Sequence, residues 1–453
     1  MHETLKIMFS PLMSPFLKSC QVIFLASLLA SVGCQPINQS RSLKQVQPTQ
    51  FRDVSTSDLL QDPVTVQGQL SPALVTQSWQ TYRQRFIQVD GRVIDREAQD
   101  RSTSEGQAYA MLRAVLIDDA ETFANVLQRA ELNLIRKASD ETVKDTLWAW
   151  KWGQRPDQSW GVIDENFASD ADIDAITALI LAARRWNRPD YLALAKTKLE
   201  DLCALTNIKN TSLDGRADPT RYLLPGPLAP FAVGASRVYL NPSYLAPYAF
   251  RLFAQVDPER DWMTLVNSSY AVLTEMGQLS PSQLPVDWLL LNHQTGQLEL
   301  IETGSLLSVY SFDAYRVWWR LRLDALWFNE PRATTYLQTH SKFLVETWQS
   351  QGFISARISP AGEALAPYES TSQYAMLYVG LLNVNETVAS QILSEKLTPS
   401  YQDGFWDNNS AYYVQNLGWF AIYPFDQVLP QWLTAKLPSL PLWATSGLWA
   451  ISD

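Results

Sequence analysis

Apolar residues recur at helical spacing along most of the chain. In many segments they stand at positions i, i+3, i+4 and i+7, which places them on one face of an α-helix. Asp, Ser or Pro stands at many of the segment starts, where these residues favour a helix N-terminus. The pattern predicts helices over residues 73–88, 105–117, 119–135, 171–186, 189–205, 242–255, 258–275, 313–327, 331–349 and 370–383.

Strand patterns are rare by comparison. Gln297–Leu300 alternates polar and apolar residues and predicts part of a short hairpin. Many helices of similar length without intervening strands disfavour α/β barrels and β-sandwiches, and leave a helical toroid or an α-solenoid. No repeat of fixed period is visible, which disfavours the solenoid. The pattern therefore predicts an all-α fold arranged as a helical toroid.

The amino-terminal segment has the pattern of an export signal. Lys18 precedes the run Val22–Cys34, which is apolar, ends in small residues and is too short for a comfortable membrane span. Its end resembles the lipobox of bacterial lipoproteins, in which the cysteine, here Cys34, is acylated. An ordinary cleaved signal or an uncleaved anchor are the alternatives. Each of them predicts an exported protein, located in the periplasm or the outer cell envelope and, in the lipoprotein case, anchored there by lipid.

The rest of the chain divides by composition. Residues 35–71 are rich in Gln, Ser, Thr and Pro, which is typical of a flexible tether. No second linker of that length follows, so residues 72–440 are predicted to form one large domain. Residues 441–453 are left as a C-terminal tail, and residues 1–34 as the signal peptide.

Composition narrows the possible functions of this 453-residue chain. Lys and Arg total 36 against 46 for Asp and Glu, a formal charge of −10, and no basic stripe is present that would bind nucleic acid. Three Cys and three His, scattered along the chain, supply no zinc cluster or thiol–imidazole pair, so we expect no metal or other cofactor. The 17 Trp and 18 Tyr suit a bulky core or a groove that stacks flat ligands such as sugars.

Three acids stand at predicted helix starts, each shortly after a small hydroxyl residue. They are Glu105, Asp170 and Asp313. Helix capping and the helix dipole explain any one of them taken alone. Their neighbours favour a catalytic role instead, because Arg316 follows Asp313 at i+3 and is close enough to orient its carboxylate or to keep it ionised.

Aromatic residues accompany these acids. Tyr109 lies one turn beyond Glu105, and Trp150 precedes the second acid in a run of tryptophans. Glycoside hydrolysis needs this combination, because one carboxylic acid protonates the leaving oxygen, a second carboxylate activates water or attacks, and flat rings hold the sugars.

At these residues the chain resembles glycoside hydrolase family 8, and within it the cellulase associated with bacterial cellulose synthase. The motifs follow the family's order across most of the predicted domain. They are Trp79, Gly91–Asp95, Thr103–Gln107, Trp150–Gly153, Ala168–Asp172, Asn241–Tyr244, Asp287–Trp288, Asp313–Val317 and Ala411–Tyr413.

The resemblance implies an (α/α)6 toroid of antiparallel helix pairs and an inverting endo-β-1,4-glucanase. It implies that Glu105 is the general acid, that Asp313 is the general base and that Asp170 helps to hold the reacting sugar. The substrate-binding positions that it implies are Tyr109, Trp150, Tyr244, Arg316, Tyr412 and Tyr413.

An acid at a helix start is normally ionised, so Glu105 needs a raised pKa to act as a proton donor. We expect burial and the charge of Asp170 to raise it, and Arg316 to keep Asp313 ionised. An inverting mechanism further predicts that the carboxyl groups of Glu105 and Asp313 lie about 6.5–9.5 Å apart.

Other functions stay open at this point. The same fold acting on chitosan, xylan or mixed-linkage glucan is one alternative, a non-catalytic glycan-binding lipoprotein is another, and a helical scaffold or export-assembly factor is a third. The expected partners are a β-glucan and, from the tether and anchor, the cellulose synthesis or export machinery. No nucleic acid is expected, and membrane contact is expected only through the N-terminal anchor.

Overall fold

The computed structural model describes residues 72–209 and 220–434. Cys34, the predicted signal, the tether and residues 441–453 lie outside this part of the chain. The helices are α1 Pro72–Phe86, α2 Ser104–Ile117, α3 Ala120–Asn133, α4 Ser169–Arg185, α5 Pro189–Thr206, α6 Leu228–Phe231, α7 Pro247–Val256, α8 Trp262–Gln278, α9 Arg316–Phe328, α10 Pro331–His340, α11 Lys342–Gln351, α12 Thr371–Leu381, α13 Glu386–Ile392, α14 Thr398–Ser400, α15 Tyr412–Ile422 and α16 Pro430–Thr434.

Short strands lie between the helices. They are β1 Ser102–Thr103, β2 Ile135–Lys137, β3 Val143–Gln154, β4 Trp160–Phe167, β5 Asn207–Lys209, β6 Arg221–Leu223, β7 Ala232–Val233, β8 Arg237–Leu240, β9 Leu289–Asn292, β10 Leu298–Glu299, β11 Tyr401–Gln402 and β12 Phe405–Trp406.

Within the described residues, helices α2, α4, α7, α9, α12 and α15 form a closed inner ring. Each packs against the next one named, and α15 packs back against α2. An outer helix packs on each of them: α3 on α2, α5 on α4, α8 on α7, α10 on α9, α13 on α12 and α1 on α15. Because each inner helix returns through an outer one, the inner helices all begin at the same end of the ring.

Burial follows this two-layer arrangement. Helices α2, α4, α12 and α15 are buried on nearly all sides, whereas α3, α5 and α10 bury only one stripe. A helix that is apolar all round belongs inside a structure, and an amphipathic one belongs at its surface. Aromatic rings fill the centre, where Trp319 stacks on Phe420 with ring centroids 4.6 Å apart.

The strands build small antiparallel sheets that lead into the inner helices. Strand β3 pairs with β1, β2 and β4, so that one sheet joins the start of α2 to the start of α4. Strands β7 to β10 form a second sheet. The hairpin part predicted at Gln297–Leu300 is confirmed, since Leu298 and Glu299 pair with Leu291 and Leu290.

Two predicted helices are divided in the structure. The segment 242–255 begins with a separate 3₁₀ turn, Pro242–Tyr244, and α7 starts only at Pro247. Pro247 lacks an N–H group and disfavours the helical conformation of Ala246, which explains the break. The segment 331–349 divides at Ser341, whose hydroxyl donates to the carbonyl of Leu337 and competes with the helix.

The sequence did not predict β3 and β4, and it did not predict α13 or α15. Bulges between Ala149 and Lys151 and between Lys151 and Trp152 interrupt the alternation of β3 that would have revealed a strand. Among the described residues, no helix is long and apolar enough to cross a membrane.

Candidate active site

The three acids lie at the starts of inner helices. Glu105 is in the first turn of α2, Asp170 is in the first turn of α4, and Asp313 precedes α9. Since the inner helices begin at one end of the ring, acids that are far apart in sequence meet there. Tyr412, the first residue of α15, reaches the same place.

One guanidinium group binds all three carboxylates. Nη1 of Arg316 donates to Oε2 of Glu105 at 2.8 Å and to Oδ2 of Asp170 at 2.7 Å, and Nη2 donates to Oδ1 of Asp313 at 2.7 Å. The Arg316 side chain is only 1% exposed. The predicted pairing of Arg316 with Asp313 is present, and the contacts to the other two acids are additional. The cluster therefore holds three acids around a single cation.

Helix capping does not explain these acids. The cap of α2 is Thr103, whose hydroxyl accepts from the N–H of Gly106 at 3.0 Å, so Glu105 is free to point elsewhere. Asp170 accepts from the N–H of Ala171 through one oxygen, but its other oxygen is bound to Arg316. Among the described residues, the donors to the carboxylate of Asp313 are the side chains of Asn241 and Arg316.

Glu105 is held in an environment that favours its protonated form. Burial raises the pKa of Glu105 to about 7, the charge of Arg316 opposes this rise, and the charge of Asp170 adds to it. The hydroxyl of Tyr412 donates to Oε1 at 2.8 Å. The direction of this shift agrees with the expectation that burial and Asp170 raise the pKa of Glu105.

Asp313 is the most accessible of the three carboxylates. Its side chain is 34% exposed, and Nδ2 of Asn241 donates to its Oδ2 at 3.0 Å. Burial raises the pKa of Asp313, and the guanidinium of Arg316 beside it opposes this rise. An exposed, oriented carboxylate that keeps a cation as its partner can accept a proton from water.

Asn241 and Ser243 belong to the site, although the sequence analysis did not assign them a role. The Ser243 hydroxyl accepts from Nη2 of Arg316 at 2.9 Å and donates to Oδ1 of Asn241 at 2.7 Å. Both residues thus fix the cation and the carboxylate of Asp313. In the sequence, both residues belong to the motif Asn241–Tyr244. The motif was recognised as a whole, and only Tyr244 was given a role.

The prediction that Tyr109 contacts a sugar needs correction. Tyr109 has no exposed surface, and its ring packs edge-on against Trp319 and Phe420 in the core. Its hydroxyl lies 3.3 Å from Nη1 of Arg316 and accepts a hydrogen bond from it. Tyr109 therefore supports Arg316 from inside the ring. Arg316, itself buried, orients the acids and does not present a surface to the substrate.

The remaining predicted positions lie around the acids. Tyr244 places its ring 5.3 Å from the guanidinium carbon of Arg316, and Tyr413 donates from its hydroxyl to the carbonyl of Phe312 at 2.7 Å. Both are half-buried. Their contact with a sugar stays a prediction, as does that of Tyr412.

Trp150 lies on β3 and is half-buried. The pairing of Thr103 with Lys151 places it next to the start of α2, close in register to Glu105. Nζ of Lys151 lies 5.4 Å from its ring centre. This location beside the start of α2 is compatible with the predicted sugar contact, which stays a prediction.

Comparison with known proteins places these features in a family. Residues 65–420 match the glycosyl hydrolases family 8. An endoglucanase of Pseudomonas fluorescens (strain SBW25) is 34% identical over 212 residues, which are 47% of this chain and 50% of that protein. The chain thus spans about half the length of this curated relative.

Solved structures share the fold. An endo-1,4-D-glucanase from Vibrio fischeri ES114 has a TM-score of 0.65 at 24% identity, over 78% of this chain and 97% of that one. A family 8 xylanase from Teredinibacter turnerae has a TM-score of 0.62 at 17% identity, over 83% of this chain and 99% of that one. The family match over most of the chain and the closed ring of helix pairs show that the chain belongs to family 8 of the glycosyl hydrolases and has the (α/α)6 barrel fold.

Proposed function

We propose that the protein is an inverting endo-β-1,4-glucanase that cleaves cellulose-like chains. The observation that carries the proposal is the binding of Glu105 to Nη1 and of Asp313 to Nη2 of Arg316, with the pKa of Glu105 raised by burial and the Asp313 side chain 34% exposed. An acid and a base held in fixed positions, with different environments, are what general acid–base hydrolysis needs. The similarity to a protein named endoglucanase supports the choice of glucan.

In the proposed reaction, Glu105 donates its proton to the oxygen that leaves with one half of the glucan chain. Asp313 takes a proton from a water molecule, and the water oxygen attacks the anomeric carbon from the opposite face. Asp170 helps to hold the reacting sugar. The product then has the inverted configuration. Glu105 is left ionised and Asp313 protonated, and proton exchange with bulk water returns both to their starting states.

The identity of the polymer needs its own test, because the fold also occurs in a xylanase. Xylan, chitosan and mixed-linkage glucan are therefore the competing substrates. Incubation with carboxymethylcellulose, lichenan, xylan and chitosan, followed by a reducing-end assay, distinguishes them. We expect the highest rate on carboxymethylcellulose and, by NMR of early products, the inverted anomer.

Activity on none of the four polymers would contradict the catalytic proposal. It would favour the non-catalytic glycan-binding lipoprotein, against which the presence of all three acids argues, or the helical scaffold without a glycan. Retention of anomeric configuration would contradict the assignment of Asp313 as a base and would favour a nucleophile instead.

We further propose that the protein is exported and is held at the cell envelope by a lipid on Cys34, near machinery that makes or exports a glucan. The basic and apolar pattern before Cys34 and the polar tether after it support this location. Replacing Cys34 with Ala should abolish incorporation of labelled palmitate and release the protein from the membrane fraction. Equal labelling of both forms would contradict lipidation at Cys34.

A further inference from the structure

Asp287 lies beneath the turn that carries Asp313. It stands just before β9, and its side chain is buried. Its Oδ1 accepts from the N–H of Ala314 at 2.8 Å and from the N–H of Ser311 at 3.3 Å, and its Oδ2 accepts from the hydroxyl of Ser311. These donors lie on both sides of Phe312 and Asp313, so one carboxylate closes the turn around the base.

The N–H groups at the start of α9 are already paired, since those of Arg316 and Val317 donate to the main-chain carbonyls of Asp313 and Ala314. The N–H of Ala314 itself lies ahead of the helix and donates to the carboxylate of Asp287. A carboxylate forms stronger hydrogen bonds than a neutral acceptor does. Asp287 thus supplies an acceptor for the turn from another part of the chain.

Hydrogen bonds to main-chain carbonyls also hold the segment around Asp287 in place. The N–H of Asp287 donates to the carbonyl of Val309 at 2.8 Å, and the hydroxyl of Ser308 donates to the carbonyl of Trp288. The segment that carries Asp287 is therefore bound to residues 308 and 309, which lead into the turn of Asp313. A displacement of Asp287 would displace the turn.

The charges of Asp287 and Asp313 also affect each other. Burial raises the pKa of Asp287 to about 7, and the negative charge of Asp313 adds to the rise. By reciprocity, an ionised Asp287 makes ionisation of Asp313 more costly. The other charged groups near Asp313 are Arg316, which opposes that cost, and Asp170 and Glu105, whose negative charges add to it.

We propose that Asp287 is a positioning residue for hydrolysis, which holds the Ser311–Ala314 turn so that the carboxylate of Asp313 faces the attacking water. The inference rests on the proposed function, since it assigns Asp287 to the base of that reaction. It adds a residue that touches neither the substrate nor the other acids.

Three variants test the proposal by kinetics on a soluble glucan. Asp287→Ala removes the carboxylate that accepts from Ser311 and Ala314, and we expect a loss in kcat of about 10²-fold with little change in KM, as for a misplaced catalytic group. Asp287→Asn keeps an oxygen for the two N–H groups, so it should retain more of the kcat than Asp287→Ala. Ser311→Ala removes one donor and should lose the least.

The pH dependence separates positioning of the base from a general structural role. With a pKa raised to about 7, Asp287 is largely neutral on the acid limb of the kcat profile, so Asp287→Asn should leave that limb in place, whereas Asp287→Ala lets Asp313 move away from Arg316 and should shift the limb to higher pH. The alkaline limb, which belongs to Glu105, should stay in place. A wild-type profile together with a wild-type kcat in Asp287→Ala would overturn the proposal.

Asp119 provides a matched control. It caps α3 by accepting from the N–H of Thr122 at 3.0 Å, and it follows α2 at the end opposite to Glu105. Asp119→Ala should lower the melting temperature without changing the pH profile or the kcat of the folded fraction. If Asp287→Ala and Asp119→Ala lose activity only in proportion to unfolded protein, Asp287 has a structural role alone.

Amide hydrogen exchange keeps this test independent of the substrate. Peptides that cover residues 311–315 should exchange faster in Asp287→Ala than in wild type, and not in Asp119→Ala. A wild type that is inactive on every glucan would contradict the proposed function, while the exchange rates would still report whether Asp287 holds the turn. Unchanged exchange in Asp287→Ala would contradict the positioning role itself.

Discussion

Nη1 of Arg316 lies 2.8 Å from Oε2 of Glu105. The sequence pairs Arg316 with Asp313 through their i+3 spacing, whereas the structure shows that the same cation also touches the proposed acid. A cation beside a carboxylate favours ionisation, so Arg316 opposes the protonation that Glu105 needs. Burial of Glu105 and the charge of Asp170 outweigh this effect, because the pKa of Glu105 is still raised to about 7.

The raised pKa values of Glu105 and Asp313 predict how the rate of hydrolysis depends on pH. On the alkaline side kcat/KM should fall as Glu105 loses its proton, with an apparent pKa near 7. On the acid side it should fall as Asp313 gains a proton, at a pKa above the ordinary value for Asp. Initial rates on carboxymethylcellulose across this range check both limbs, and a rate that is constant from neutral to alkaline pH would contradict the role of Glu105.

Glu105→Gln should lower kcat on carboxymethylcellulose by at least about 10²–10⁴-fold, because the amide cannot donate the proton that the leaving oxygen requires. A glucoside with a nitrophenol leaving group needs little protonation and should recover part of the rate. Equal losses on both substrates would argue against Glu105 as the acid.

Thermal melting of Glu105→Gln controls for misfolding. A folded-state pKa raised above the unfolded value contributes stability that is present below the unfolded pKa and is lost as pH rises through about 7. The amide does not titrate, so the variant should melt no lower than wild type above neutral pH.

Asp313→Asn should lower kcat by a similar factor of about 10²–10⁴, because no group remains to take the proton from water. A good leaving group should not recover this rate, since the attack is still unassisted. Azide, which is a nucleophile that needs no base, should restore part of it. A variant that retains near wild-type rates on soluble cellulose would show that Asp313 is not the base.

Trp150→Ala should weaken oligosaccharide binding by about 1.5–3 kcal/mol, the value of burying one large apolar side chain. The melting temperature should change little, because Trp150 lies outside the buried core. Binding isotherms and melting curves, measured side by side, separate loss of a sugar contact from loss of folding.

Trp186→Ala is the control for that experiment. Trp186 is also half-buried, but it stands at the end of α4, opposite to Asp170. Its loss should leave oligosaccharide affinity unchanged. Equal losses of affinity in both variants would contradict a sugar contact at Trp150.

The sequence by itself determined the helices that carry the acids. The apolar period of α2, α4 and α9 is a local property, since it depends only on neighbours within a few turns, and so is the position of Glu105 or Asp170 at a helix start. The ordered motifs also identified the family, which the comparisons confirmed. The break within segment 242–255, which the prediction missed, also has a local cause, because Pro247 starts a new helix there.

Only the tertiary structure decided which of these residues meet. The ring closes when α15 packs against α2, and this closure brings Tyr412 to Glu105. The three contacts of Arg316 and the turn held by Asp287 likewise join segments that are far apart in the chain. Tyr109 turned inward for the same reason, since its helix is covered on nearly all sides. Spacing along a helix sets a face, but the packing of the other inner helices decides what that face touches.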